Sequence, residues 1–317
     1  MASDNRNLGR IIFMGSPDFA VASAGALWQA GLNIVGVVTT PDKPAGRGLT
    51  LKESPVKQWA RQHDLPVLQP EDLRDVHFLQ ALHELDADLF VVVAFRILPR
   101  EVFTLPSKGT LNLHASLLPK YRGAAPIQWA IIEGERETGV TTVLINENVD
   151  TGDILLQKTV PIGKDETYGE LYERLKHIGA ELLVETVVKW LEGSLHPRKQ
   201  IGTATRAPKI KPEMGYINWN QPAERIRNLV RGLSPVPAAY THWNDRRLKI
   251  YRCRTAEHDS GGAPGEIVQA DAKKGVFMVK TGEGALLLEE VQPEGKRRMQ
   301  AAEFLRGYPV KAGDRFE

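Results

Sequence analysis

Continuous apolar runs alternate with helix-like segments over the first half of the chain. "RIIFMGSPDF" opens with Ile11 to Met14 and breaks at Gly15. "AVASAGALWQAGL" follows with helical composition and stops at Gly31. "NIVGVVTT" is a second apolar run. Strands that are apolar on both faces and separated by helices indicate a parallel sheet covered on both sides. Ser54 and Pro55 supply a cap and a first helical residue. Val56, Trp59, Ala60 and His63 then recur at i, i+3, i+4 and i+7. "DADLFVVVAF", "TLNLH" and "GVTTVLIN" complete an expectation of five strands, with "ILLQKTVPI" as a further edge strand. Thr167 and Glu170 form a capping box for a long helix. That helix carries Leu171, Leu175, Ile178 and Leu182 and ends at Gly193.

The texture changes after Gly193. "SLHPRKQIGTATRAPKIKPEMG" is polar, basic and punctuated by Pro and Gly, so it reads as a linker. "QPAERIRNLVRGL" is one helix, and the short runs "LKIYRC", "GEIVQA", "GVFMVKT" and "ALLLEEV" follow. The "TGEG" between the last two is a hairpin signal. Short strands at this spacing predict a small barrel resembling the oligonucleotide-binding type. The expected organisation is an α/β domain over 1–193, a linker over 194–211 and a barrel domain over 212–317.

With 317 residues, 42% hydrophobic and 25% charged, the composition is that of a globular protein. A single cysteine, Cys253, excludes an internal disulfide and any Cys-x-x-Cys zinc cluster. No apolar run approaches the ~20 residues of a membrane helix. The polar start "MASDNRNLGR" resembles neither a secretory nor a transit segment, so the expected location is the cytoplasm. Net charge is +2, unevenly spread. From Ala207 onward 19 Lys and Arg face 14 Asp and Glu, whereas 22 face 25 before it. A basic C-terminal part suits a polyanion partner; a solvated surface with a modest excess is the competing reading.

The chemistry-bearing stretches are few. "GSPDF" lacks the dinucleotide fingerprint, and there is no Walker A motif and no Gly-x-Ser-x-Gly elbow. The 8 histidines show no metal-ligand spacing, so no metal is expected. In "TLNLHASLLPKYRG", Asn112 and His114 are two apart and share one face of a strand. In "NENVDTGDIL", Asp150 lies in a turn after the fifth strand, with Asp153 and Glu147 nearby as alternatives. Loops at the carboxyl ends of parallel strands are where open α/β sheets bind ligands, so Asp150 can meet the pair across a cleft. A carboxylate beside an imidazole favours the charged ring and orients it. An imidazolium and an amide can both donate to one developing oxyanion. Each residue also has a bland reading, as a satisfied buried polar group or a turn former. Ser116 has no visible base and reads as a backbone partner, and Leu118-Pro119 is a candidate cis bond. "PDKPAGRGLTLKESPVK" is too long and too basic for a plain strand–helix connection. It grips phosphates or is simply a solvated loop.

"NLHASLLPKYRGAAPIQWAI" with "DTGD" at 150–153 resembles the formyltransferases that use 10-formyltetrahydrofolate, whose signature is an Asn–His–Asp set. "GSPDFA", "PDKPAGRGLTLKESPVK", "AAPIQWAI", "ETGVT" and "RGLSPVPAA" are similar to the methionyl-tRNA formyltransferases within that superfamily, over nearly the whole chain. The resemblance implies a Rossmann-like formyltransferase domain followed by a tRNA-binding barrel. It implies transfer of the formyl group of 10-formyltetrahydrofolate to the α-amine of initiator methionyl-tRNA for translation initiation. Asn112 and His114 would stabilise the oxyanion and Asp150 would hold His114. Ser116, Leu117, Leu118 and Pro119 would border the folate, with Phe95 and Ile97 lining the pteridine pocket. Arg47, Lys43, Lys52, Arg122 and Arg231 would contact tRNA. The implied partners are the folate co-substrate and the tRNA, with no membrane and a monomeric chain. "AFRILP" departs from the family's Tyr-Gly pattern, with Phe95-Arg96 and one residue fewer, and "HAS" replaces the frequent "HGS".

Overall fold

The computed structural model describes residues 5–45, 50–257 and 261–317. It divides into two compact units. The first takes the chain to Ala124, with Thr138–Pro161 and Tyr172–Ala207. The second comprises Ala125–Glu137, Ile162–Leu171 and Pro208–Glu317. The expected boundaries at 193 and 211 therefore shift. Residues 194–207 read as a linker from composition, but their backbone pairs with other parts of the first unit: Arg198 with Ile154, and Arg206 with Arg122.

In chain order the elements are β1 (Arg10–Gly15), α1 (Asp18–Gln29), β2 (Asn33–Val38), β3 (Lys43–Ala45), β4 (Thr50–Lys52), α2 (Pro55–Gln62), β5 (Val67–Leu68) and α3 (Val76–Glu84). They continue with β6 (Leu89–Val93), α4 (Arg100–Phe103), β7 (Thr110–His114), α5 (Pro126–Ile132), β8 (Glu137–Leu144), β9 (Ile154–Pro161) and α6 (Tyr168–Leu191). The first unit's sheet has the order β5-β2-β1-β6-β7-β8-β9. Ile11, Ile12, Phe13 and all of Leu89–Val93 are buried, which is why both runs are apolar without alternation. Sequence-adjacent strands part company between β1 and β6, the point in such sheets where ligands bind beyond the strand ends. Gly15 closes β1 there: a Cβ would lie 2.8 Å from the carbonyl oxygen of Val93.

The parallel arrangement runs from β5 to β7. The fifth predicted strand departs from it. β8 runs antiparallel to β7, with Asn112 opposite Val143 and His114 opposite Thr141. A fully buried run looks the same in either direction, so the sequence pattern carried no sign of the reversal. The hydroxyl of Ser54 caps α2 by accepting from the Lys57 N–H at 3.1 Å, worth about 1 kcal/mol. The basic loop before it is a hairpin of β3 and β4, in register Lys43 with Lys52.

The second unit adds α7 (Ala223–Leu233), β10 (Ala239–Trp243), β11 (Arg246–Ala256), β12 (Ile267–Asp271), β13 (Val276–Lys280), β14 (Ala285–Pro293), β15 (Met299–Gln300) and α8 (Ala301–Gly307). Its antiparallel sheet has the order β10-β11-β14-β13-β12, and β15 pairs with β14. The chain end ties the two outer strands. Ile267 donates to Asp314 at 2.8 Å, and Glu317 donates to His242 at 3.1 Å. Phe277 and Phe304 stack at 5.7 Å in the core, and Phe316 lies 5.5 Å from Trp219. α7 packs on α5 at Gly232, where a Cβ would lie 2.6 Å from Ile132.

Candidate active site

β7 presents Asn112 and His114 on one face. His114 is 6% exposed. Its Nε2 lies 2.9 Å from the carbonyl oxygen of Tyr121, and its Nδ1 lies 3.5 Å from Asp150 Oδ1. One ring nitrogen is thus hydrogen-bonded to a backbone carbonyl, and the other faces a carboxylate at ion-pair distance. Asp150 is fixed independently, because its Oδ2 accepts the Gly123 N–H at 2.8 Å. The half-buried Asn112 amide makes no hydrogen bond to another described residue.

The Asp150 turn does not reach His114 in the way expected. β8 is antiparallel, so its end at Leu144 lies opposite Leu111, early in β7. The turn instead folds back. Asp153 accepts the Leu144 N–H at 3.0 Å, and a Cβ on Gly152 would lie 1.6 Å from the Leu144 oxygen. Only glycine permits that approach. Asp150 and Tyr121 both sit at positive φ, 54° and 59°. Such conformations cost of order 1–3 kcal/mol and gather at functional sites. Of the alternative carboxylates, Asp153 accepts from Lys199 at 3.0 Å and Glu147 from Arg100 at 3.0 Å.

A cavity of about 480 Å³ lies beyond the end of β6. Ile97, 75% exposed, lines it together with Leu98, Phe103, Arg74, Arg96 and Arg100. Glu147, from the loop that carries Asp150, lines it as well. Arg96, the residue of the "AFRILP" departure, donates to the carbonyls of Pro70 and Glu71 at 2.7 and 2.9 Å and so ties that loop to the cavity wall.

The other expected folate residues are dispersed. Ser116 is fully buried, and its hydroxyl donates to the Lys120 carbonyl at 2.7 Å. Leu118 packs with Val143 and Ile154, and the Leu118–Pro119 bond is cis. Leu117, Pro119 and Phe95 are half-buried, and none of them lines the cavity.

Among the expected nucleic-acid contacts, Lys43 and Lys52 are exposed on the β3–β4 hairpin, and Arg47 lies outside the described residues. The guanidinium of Arg122 donates to Gln200 Oε1 at 2.7 Å. Arg231 is a correction. It is 8% exposed, and it donates to Asn228 at 2.8 Å and to the Glu166 carbonyl at 3.3 Å. Its guanidinium is committed within the second unit, where it ties α7 to the 163–166 loop. Cys253 is also interior, and burial pushes its thiol up to about 12, so it is no nucleophile at neutral pH. Among the described residues no group of three or more His, Cys, Asp or Glu could hold a metal ion.

Sequence reasoning missed the Tyr121 carbonyl, the Gly123 N–H and Gln200. The first two are backbone groups with no residue signature. Gln200 lay in a stretch whose composition read as a linker.

The family described as "Formyl transferase" matches residues 9–187, and its C-terminal domain matches 209–309. A methionyl-tRNA formyltransferase of Symbiobacterium thermophilum is 49% identical, over 97% of this chain and 95% of its own. One of Caldanaerobacter subterraneus is 48% identical, over 96% and 98%. Among solved structures, HypX from Aquifex aeolicus in complex with tetrahydrofolic acid has a TM-score of 0.65 at 19% identity. The match covers 94% of this chain but 47% of that one, a likeness of fold.

Proposed function

Because this chain belongs to the methionyl-tRNA formyltransferase family, we propose that its Asn112–His114–Asp150 set moves a formyl group from 10-formyltetrahydrofolate to the α-amine of initiator methionyl-tRNA. The observation that carries the reading is an amide without a partner among the described residues, on the same strand as a buried His114 that faces Asp150 from the β8–β9 turn. A bond forms between the α-nitrogen and the formyl carbon, and the bond from that carbon to the folate nitrogen breaks. One proton moves from the amine to the departing nitrogen. The α-amine must be neutral to attack, and α-amino groups titrate near ~8, so little deprotonation is needed.

As the amine adds, the formyl oxygen gains negative charge. Asn112 donates the first hydrogen bond to it. His114 donates the second from Nε2 by exchanging the Tyr121 carbonyl for the charged oxygen, since hydrogen bonds to an ionised acceptor are about twice as strong. Asp150, held by the Gly123 N–H, fixes the ring through Nδ1 and stabilises its charge. The cavity beside Ile97 joins apolar walls at Leu73, Leu98 and Phe103 to three arginines and three acidic residues, Glu71, Asp72 and Glu147, a mixed lining that suits a flat heteroaromatic ring. It is the proposed folate site.

Lys43, Lys52 and Arg122 are the proposed tRNA contacts in the first unit. In the second, Tyr216 is 44% exposed. Its ring lies 5.6 Å from Tyr240 and 5.8 Å from His242, with the Arg247 guanidinium 4.5 Å above Tyr240. An exposed ring backed by half-buried rings and a guanidinium offers a stacking platform for nucleic acid. The proposal includes a monomeric enzyme in the cytoplasm, where translation supplies the acceptor.

The test is a formyl-transfer assay with 10-formyltetrahydrofolate and charged initiator tRNA, run beside free methionine and an amino-sugar nucleotide. Formylation of the tRNA alone is expected. Formylation of the sugar, or consumption of the folate with no acceptor present, overturns the proposed acceptor and keeps the chemistry.

A further inference from the structure

Residues 198–207 run along the first unit's site as a strap. Arg198 and Ile154 exchange backbone hydrogen bonds of 2.7 and 2.8 Å. Thr205 accepts the Tyr121 N–H on its hydroxyl at 2.8 Å and the Arg122 N–H on its carbonyl at 2.9 Å. Ala207 donates to the Arg122 carbonyl at 2.7 Å. The strap thus grips both loops that supply partners to His114: the one carrying the Tyr121 carbonyl and the one carrying Asp150.

Between these anchors, Gln200 reaches into the Asp150 turn. Its Nε2 donates to the carbonyl of Asp150 and to that of Gly152, each at 2.8 Å. Its Oε1 accepts from Arg122 Nη2 at 2.7 Å and from Nε at 3.3 Å. Both of its donors and its acceptor are committed, and only an amide of this length offers that combination. The Asp150 carboxylate stands 3.5 Å from His114, so a small rotation of the turn would uncouple the pair.

We propose that Gln200 is a positioning residue for formyl transfer: it locks the Asp150 turn so that the carboxylate faces His114, and it joins that turn to Arg122. The inference rests on the formyl-transfer reading above. Gln200 touches neither reacting group; it acts through Asp150. Its side chain also links a proposed tRNA contact to the carboxylate that orients the imidazole.

The experiment uses the full chain with 10-formyltetrahydrofolate and charged initiator tRNA, comparing the wild type with Gln200→Met, Gln200→Glu and Gln200→Asn. Gln200→Met keeps the bulk and removes every bond. Gln200→Glu keeps the acceptor and removes both donors. Both are expected to lower kcat about 10- to 100-fold, to leave the folate KM within about twofold, and to change the pH dependence of kcat, which reports the His114–Asp150 pair. Gln200→Asn, which keeps the amide, is expected to recover part of the loss. The thermal midpoint of each variant separates misfolding from misplacement.

Unchanged kcat in Gln200→Met overturns the proposal. So does a loss that follows the folded fraction with the pH profile unmoved, since a merely structural residue would behave that way. A wild type that formylates no tRNA overturns the functional reading, and this inference with it. A fully active wild type with unaffected variants overturns the inference alone.

Discussion

Asn112 and His114 share a face of β7 but differ in what restrains them. His114 has an acceptor at each ring nitrogen, whereas the Asn112 amide has no partner among the described residues. Asn112→Ala therefore deletes a donor that becomes useful only as charge develops. It is expected to lower kcat about 10²- to 10³-fold with little change in the folate KM. His114→Ala is expected to lower kcat by at least about 10²-fold while tRNA affinity, read by filter binding, stays within about twofold. Comparable activity in that variant would remove His114 from the mechanism. Gly152 carries the sharpest steric constraint in the site, with its absent Cβ 1.6 Å from the Leu144 oxygen. Gly152→Ala must push the turn away and carry Asp150 with it. We expect a loss of at least about 10²-fold in kcat; near-normal turnover would mean that the turn can shift without moving the carboxylate.

At the scale of elements, much of the architecture was legible because burial leaves a simple trace. β1, β6 and β7 read as apolar runs because both of their faces are covered, and α2 announced itself through Ser54 and Pro55. The reversal of β8 was hidden, since the direction of a buried strand leaves no mark in side-chain type. The role of 198–207 was hidden as well, because its bonds are mostly backbone bonds and polar composition does not distinguish a strap from a linker. The Asn–His pair was legible from its spacing; the fold-back that brings Asp150 to it was signalled only by Gly152. The same contrast applies to α7. Arg231 was expected at the tRNA, and its neighbour Arg227 is likewise buried: it is 5% exposed, donating to Asp165 at 2.7 Å and to Glu224 at 2.8 Å. The hydrogen bond from Arg227 is the main cause holding the Asp165 carboxyl below its ordinary 3.8. A depressed carboxylate contributes stability above its unfolded pKa and loses it as pH falls through the folded one. Asp165→Asn should therefore lower the urea midpoint at pH 7, and the gap to wild type should close below about pH 4. A gap that does not narrow at all as pH falls below the ordinary carboxylate range would remove the Asp165 charge as its source.

Over the whole molecule, a net charge of +2 says little, but its distribution says more. The chain from Ala207 onward carries an excess of +5 and the remainder −3, so a polyanion has reason to favour one part of the protein. Buried residues such as Arg227 and Arg231 account for some of that excess and are committed to hydrogen bonds within the second unit, which makes the count of free surface cations smaller than the sequence suggests. Exposed Lys43 and Lys52, on the β3–β4 hairpin, are free of that objection. Each cation that neutralises a phosphate contributes about 0.7–0.9 to the slope of log affinity against log salt concentration. Replacing both by Ala is therefore expected to weaken tRNA binding and flatten that slope by about 1.4–1.8. Tyr216→Leu provides the contrast. A ring that stacks on a base adds affinity without releasing counterions, so this variant should bind tRNA about 5- to 100-fold more weakly with the slope unchanged. Measuring both slopes between about 50 and 200 mM salt, a range centred near the ~0.1 M at which the Debye length is about 10 Å, assigns each residue its kind of contact. An unchanged slope in the double lysine variant would return the hairpin to solvent, and a flattened slope in Tyr216→Leu would mean that its ring orders nearby cations, Arg247 first, instead of meeting a base.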